Sequence, residues 1–365
     1  MVVVASMRFR SRRVRIEPAF TPPVSILKPL HGAEPGLERN LRDFFAQDYP
    51  QFELLFCARH PEDPALEIAR RLAAEFPHVE AQVLFCGTAP YANAKVYSLA
   101  TMERAARHDL LVVSDSDVRV SRDYLRHIVQ PFADTKTGLV TCLYRGVALE
   151  GGFWARLEAI GMSIEMSSGC VVSAMLGPVE FALGPTMAAR REAVQVIGGF
   201  GALGEYCSDD FLLGNWIAAK GWRCCLSDHV IEHMVLNSSF VESVRHQVRW
   251  MKSTRASLPK GHFGTGLTFK MPFAMLACAA AFGLHRPLLG LSALLCGVLL
   301  CAVQLFSVGT LVVQERGLPG KIVLFAIRDA MGFCYWLASY GSRRILWRGE
   351  VFELLREGKM RKVTE

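Results

Sequence analysis

The chain has 365 residues, of which 51% are hydrophobic and 21% charged, and its mean hydropathy of +0.24 is too apolar for an ordinary soluble protein. The formal charge of +7 gathers toward the two ends, at Arg8, Arg10, Arg12, Arg13 and Arg15 and again at Arg343, Arg344, Arg348, Arg356, Lys359, Arg361 and Lys362. Basic segments beside apolar ones suit an anionic membrane surface, and no recognised nucleic-acid module or stacking platform accompanies them, so nucleic acid is not an expected partner. The eleven cysteines, an odd number without a C-x-x-C pair, describe neither a disulfide framework nor a zinc site and suit reduced thiols in or facing the cytoplasm.

In chain order, Met1 to Ala5 is too short for the apolar stretch of a signal peptide, and residues 1–21 read as a basic N-terminal segment. From residue 24 to about 140, short apolar runs at 24–27, 52–56, 83–85, 110–113 and 139–143 alternate with helix-periodic stretches at 64–76, 94–106 and 122–132. Strand and helix in this alternation predict a mostly parallel α/β sheet, with ligands at the carboxyl ends of its strands. A helical stretch follows at about 153–175, whose Met162, Met166 and Met175 suit core or lipid packing, and strand-like text returns at 185–189 and 223–226. Gly198-Gly199 reads as a turn after the helix at 191–197.

Three apolar segments close the chain, at 271–284, 287–313 and 322–340. Only the middle one plainly reaches the ~20 apolar residues of a membrane span. The third holds Arg328 and Asp329, each of which costs about 2.5 to 3.5 kcal/mol at mid-membrane unless paired or kept at the surface. A basic tail at 343–365 belongs on the cytoplasmic side, and an α/β domain on that same side requires an even number of crossings. Two crossings are therefore expected, with 322–340 lying in the interface.

The strongest local motif is Ser114-Asp115-Ser116-Asp117, directly after an apolar strand. Two carboxylates at that position can hold Mg2+ or Mn2+ against a pyrophosphate; a turn with two solvated aspartates is the plainer alternative. Ser208-Asp209-Asp210-Phe211 opens a helix, with Asp209 expected at the cap and Asp210 free to act as a base. His246-Gln247-Val248-Arg249-Trp250 lies in a helix over 240–258, where positions 246, 249 and 250 share one face. An arginine there can bind a diphosphate and an indole can wall an acceptor pocket, while a basic helix resting on the membrane would look much the same. His229 and His233 sit on strand-like text, where a spacing of four need not converge on one metal ion.

Ser25-Ile26-Leu27-Lys28-Pro29-Leu30-His31-Gly32, Asp115-Ser116-Asp117-Val118-Arg119-Val120, Asp209-Asp210-Phe211 and Arg249-Trp250, in this order over about 22–259, resemble the ceramide glucosyltransferase family and its bacterial relatives, including hopanoid-associated transferases. The resemblance implies a GT-A fold over 22–260 followed by membrane and interfacial helices over 261–342. It further implies a UDP-sugar donor, a divalent metal, a lipid acceptor, attachment to the cytoplasmic membrane and inversion by direct displacement. Carried over by position, Asp115 and Asp117 bind the metal diphosphate, Asp210 is the base, and Arg249 and Trp250 belong to a Q/R-x-x-R-W motif in which His246 replaces the usual first residue. Glu80 corresponds to an aspartate near the uridine, and Lys95 is similar to a donor-side lysine. The N-terminal span common in that family is not seen, so the anchor is expected to be C-terminal or the chain to begin at an internal start. A processive polysaccharide synthase shares these motifs but needs a channel of several helices. A membrane scaffold with an inactive transferase-like domain is the non-enzymatic alternative.

Overall fold

The structure, a computed structural model, describes residues 1–12, 14, 16–237 and 239–363; Arg13 and Arg15 of the N-terminal basic cluster lie outside them. The chain divides into two compact units, one of residues 12–144 and 176–234, the other of residues 1–11, 145–175 and 235–365.

The first unit is built on β1 (Val24–Pro29), β2 (Phe52–Ala58), β3 (Glu80–Phe85), β4 (Leu110–Ser114), β5 (Val118–Arg119), β6 (Thr137–Ala148), β7 (Thr186–Arg190) and β8 (Arg223–Val235), in the order β3-β2-β1-β4-β7-β6-β8-β5. Strands β3, β2, β1 and β4 run parallel; β7 is antiparallel to both β4 and β6. The parallel strands read as unbroken apolar runs because both faces are covered: every residue of β1 and β4 is buried. On one face the helices Ala94–Ala105 and Asp209–Ala219 place Val96, Leu99, Met102, Leu213 and Ile217 against Leu27, Leu55, Leu111 and Val113. Local signals set the helix starts. Asp63 accepts from the N–H of Ala65 and precedes Pro64 in the helix Pro64–Glu75, and Asn93 accepts from Val96 at the start of Ala94–Ala105.

The expected helix over 122–132 is shorter, Tyr124–Ile128 followed by a 3-10 turn at Gln130–Ala133, where Pro131 removes a helical donor. Strand β8 is far longer than the run at 223–226, because its later residues include Asp228, His229, Glu232 and His233, which break the apolar text.

The second unit is mainly helical. Phe153–Leu176 and Pro287–Leu311 are long and apolar enough to cross a membrane, with mean hydropathies of 1.4 and 2.3; Pro259–Gly266 and Met271–Gly283 form a pair bent by 44° that together also reach that length. Phe153–Leu176 is the helix expected at about 153–175, whose methionines suit core or lipid packing; it contains a π-helical stretch at Gly161–Met166. Leu288, Leu291, Leu295 and Leu299 are exposed along Pro287–Leu311, an outward apolar row that suits lipid.

Ile322–Ala338 has only 17 residues, and its two charges are internally matched. Arg328 is 3.1 Å from Glu165 and donates to Gln247 at 2.8 Å, and Asp329 accepts from Lys270 Nζ at 2.8 Å and from the N–H groups of Lys270 and Met271 at 2.7 and 2.8 Å. Gly161 is what admits the guanidinium, since any Cβ there would collide with Arg328.

Two expected boundaries change. The helix Phe240–Ser257 belongs to this unit rather than to a single domain over 22–260. The segment 343–365 is not a loose basic tail: β9 (Arg344–Trp347), β10 (Glu350–Leu354) and β11 (Met360–Lys362) form an antiparallel sheet that buries Ile345, Phe352, Leu354 and Met360. Period-2 burial of apolar residues between charged ones produced both the sheet and its disguise as a charge run.

Candidate active site

Strand β4 ends at Ser114, and the chain turns at once through Asp115, Ser116 and Asp117 into the short β5. This puts both carboxylates at the carboxyl edge of the parallel strands. Pairing of β5 with β8 sets Val118 opposite His233, so the imidazole reaches back to Asp117: His233 Nε2 is 3.0 Å from Asp117 Oδ2. Burial alone would raise the Asp117 pKa, but the neighbouring imidazole outweighs it and holds the acid down at about 2.

Asp115 meets Lys95 from the first turn of Ala94–Ala105, Nζ to Oδ1 being 2.6 Å. The same ammonium lies 4.0 Å from Asp209 Oδ2, whose other oxygen accepts from Asn93 Nδ2 at 3.1 Å. Burial opposes the Lys95 charge, yet Asp115 and Asp209 more than offset this and its pKa is raised.

Asp209 does not cap its helix, as the sequence suggested. Ser208 occupies the cap position and Asp209 and Asp210 form the first turn, where exposed N–H groups favour negative charge. Asp210 Oδ2 accepts from Gly184 N at 2.6 Å, and Oδ1 accepts from the N–H of Phe211 at 2.8 Å. Burial, with Asp209 beside it, pushes the Asp210 acid up to about 6 against the pull of Lys95 and the two N–H groups. That value suits a proton acceptor working near neutral pH.

Four carboxylates, Asp115, Asp117, Asp209 and Asp210, thus face the ammonium groups of Lys28 and Lys95. Buried Asp117 Oδ1 and Asp209 Oδ2 have no hydrogen-bond partner among the described residues, a surplus of acceptor atoms that fits a divalent cation. The described residues hold no group of three or more His, Cys, Asp or Glu able to form a complete metal site, so Asp115 and Asp117 would share the cation with a ligand.

Three residues absent from the expected site also belong to it. Lys28, fully buried in β1, donates to the carbonyl of Asp115, and burial pushes its pKa down to about 7 despite Asp115 and Asp117. His233 is the second, and Gly184 the third: a Cβ on Gly184 would lie 2.9 Å from Asp210 Oδ2 and 3.7 Å from Asp115 Oδ2, so both carboxylates border the same small space. Gly184→Ala should therefore push Asp210 aside and lower turnover about 100-fold, the scale of a small misplacement of a reacting group, with the unfolding midpoint little changed. Turnover equal to wild type would show that the space is slack. A lysine inside an apolar strand could have revealed Lys28, His233 stood out only beside His229 as a possible metal pair, and nothing local marks Gly184.

Glu80 is not brought to the cluster. It opens β3 at the amino end, opposite the ligand edge, and pairs with Arg107, which also holds buried Glu53 at 3.0 Å. His246, Arg249 and Trp250 lie in the helical unit on Phe240–Ser257, started by a Ser239/Glu242 capping box. The His246 and Trp250 rings are 4.6 Å apart, and Arg249 lies over the Trp347 ring at 5.9 Å. His246 Nδ1 is 2.5 Å from buried Glu158, which also accepts from Ser243 and Asn237.

The sequence profile of glycosyl transferase family 21 matches residues 1–360. The chain is 30% identical over 251 residues to ceramide glucosyltransferase 1 of Caenorhabditis elegans, covering 67% of this chain and 53% of that one. It is 28% identical over 274 residues to ceramide glucosyltransferase 3 of the same organism, covering 71% and 56%. The chain therefore spans about half the length of these curated relatives. Among solved structures it is similar to a mannosyltransferase from Pyrobaculum calidifontis in complex with GDP-Man and Mn2+, with a TM-score of 0.55, 20% identity and coverage of 93% of this chain and 92% of that one. That likeness bears on fold alone, and agrees with the GT-A arrangement expected from the motifs. With the D-x-D turn, the paired aspartates and the sheet order in place, the match along nearly the whole sequence makes this chain a member of glycosyl transferase family 21.

Proposed function

We propose that the protein moves a hexose, most simply glucose, from a UDP-sugar to the hydroxyl of a membrane lipid such as ceramide, in one inverting displacement. The observation that carries the reading is Asp210: a carboxylate with a raised pKa that shares, through Gly184, one small space with Asp115 of the D-x-D turn. In the reaction the lipid hydroxyl attacks the anomeric carbon and its proton passes to Asp210. The bond from that carbon to the diphosphate oxygen breaks, and UDP departs with the electron pair. Mg2+ or Mn2+ bound by Asp115 and Asp117 would offset the charge of the leaving diphosphate. Lys95 orients Asp115, Arg249 is assigned to donor binding, and His246, Trp250 and Asp209 to the acceptor or product side. Family membership and the names of the curated relatives support a lipid acceptor, and the apolar helices support a membrane location; the basic segments beside them favour a cytoplasmic face for the sheet unit.

Mass spectrometry of lipids from cells expressing wild type or Asp210→Asn tests the reading directly. A lipid heavier by one hexose is expected with wild type and not with the variant. A ladder of added sugars would point to a polysaccharide synthase instead, and unchanged lipids would refute transfer.

A further inference from the structure

Among the described residues, Lys28 is the ammonium beside the proposed site with no exposed surface. Strand β1 lies between β2 and β4 and is buried along its whole length, a place where an apolar side chain would pack without desolvating a charge. The lysine directs its ammonium to the main chain: Nζ donates to the Asp115 carbonyl at 2.5 Å, is 3.4 Å from Ser114 Oγ, and sits 3.8 Å from the centre of the Phe44 ring. Contact with an aromatic face offsets part of the lost hydration.

The turn it touches is tied at three successive carbonyls. That of Asp115 accepts from Lys28, that of Ser116 from Asn40 Nδ2 at 3.0 Å, and that of Asp117 from the N–H of Met234 at 2.7 Å. Asn40 is fixed in turn by Arg119 Nε at 2.8 Å. Holding a backbone by its carbonyls adds no further cation to the aspartate side chains, which already meet Lys95 and His233, whereas a salt bridge from Lys28 would. When protonated, Lys28 also places a positive charge behind two carboxylates that would otherwise repel each other across the turn.

We propose that Lys28 is a positioning residue which, by tethering the Asp115 carbonyl, presents the Asp115 and Asp117 carboxylates together to a cation-bound nucleoside diphosphate; this rests on the transferase reading above. Lys28→Met keeps the side-chain volume and removes the tether. Lys28→Gln stays polar but stops short of the carbonyl.

Two readouts decide. Amide hydrogen exchange, which needs no ligand, should speed up at residues 115–117 in either variant while β1 and β4 stay protected. Calorimetric titration with Mn2+ and UDP should show affinity lower by about 10- to 100-fold, the usual effect of removing a residue that orients a metal ligand. If only Lys28→Gln folds, it carries the test alone. Wild-type exchange and affinity in a folded variant would overturn the proposal, and so would loss of folding in both variants, which would make Lys28 a structural residue only. A wild-type protein that binds no Mn2+ and UDP would defeat the transferase reading, while the exchange result would still judge the tether.

Discussion

Asp210→Asn should lower sugar transfer about 10²- to 10⁴-fold, the range for loss of a positioned proton acceptor, with UDP-sugar binding kept. The amide has the size of the carboxylate, and its oxygen can still accept from the Gly184 N–H, but its NH2 group cannot accept from the N–H of Phe211, so the side chain keeps its place at the loss of one local hydrogen bond. What disappears is a group able to take a proton from the incoming hydroxyl. Only the ionised carboxylate does this, and burial pushes its pKa up to about 6. The wild-type rate should accordingly rise with pH through about 6 and fall away below it, and that limb should be missing from the residual activity of the variant. Single-turnover rates between pH 5 and 8, with donor binding measured alongside, check both parts. Near-normal turnover in the variant would remove Asp210 as the base.

Asp329→Ala should be the most damaging single change in the helical unit, destabilising it by about 3 to 5 kcal/mol, as expected when one partner of a buried pair is removed. The 3%-exposed carboxylate does two things at once. It neutralises Lys270, and it accepts from the N–H groups of Lys270 and Met271, where the helix Met271–Gly283 begins without a side-chain cap of its own. Asp329→Asn should recover part of the loss, because an amide oxygen still satisfies N–H groups but carries no charge for Lys270. Unfolding in detergent micelles, followed by helix content, ranks the three proteins. A loss below about 1 kcal/mol for Ala would mean that the pair behaves like an exposed one.

The elements most legible in the sequence were those whose partners do not matter for recognition. The apolar runs at 24–27, 52–56 and 110–113 became β1, β2 and β4 because strands covered on both faces need no alternation, and Asp115 and Asp117 stood out because they follow such a run. Asp210 was legible as an acid at a helix start. Hidden were the features fixed by pairing between distant segments: His233 meets Asp117 only through the β5–β8 register, and Gly184 approaches Asp210 only because β7 returns beside β4. Glu80 was placed by resemblance, and only the strand direction showed that it opens β3 at the wrong end. Asp329 illustrates the converse. Its charge was flagged as costly in an apolar helix, and it took the positions of Lys270 and the Met271 helix start to show what stabilises it.

The insertion of β7 between β4 and β6 also governs the order in which this protein can be made. Seventy or more residues separate β4 from its neighbour on that side in the register Ser114 with Thr186, and the stretch between them includes the apolar helix Phe153–Leu176. While the ribosome is still delivering that helix, the nascent sheet presents a bare β4 flank with its amide and carbonyl groups unmatched, a surface prone to join any other extended chain. Only the arrival of Thr186–Arg190 covers that flank, so a fragment ending ahead of Thr186 would keep it bare and open to joining other chains.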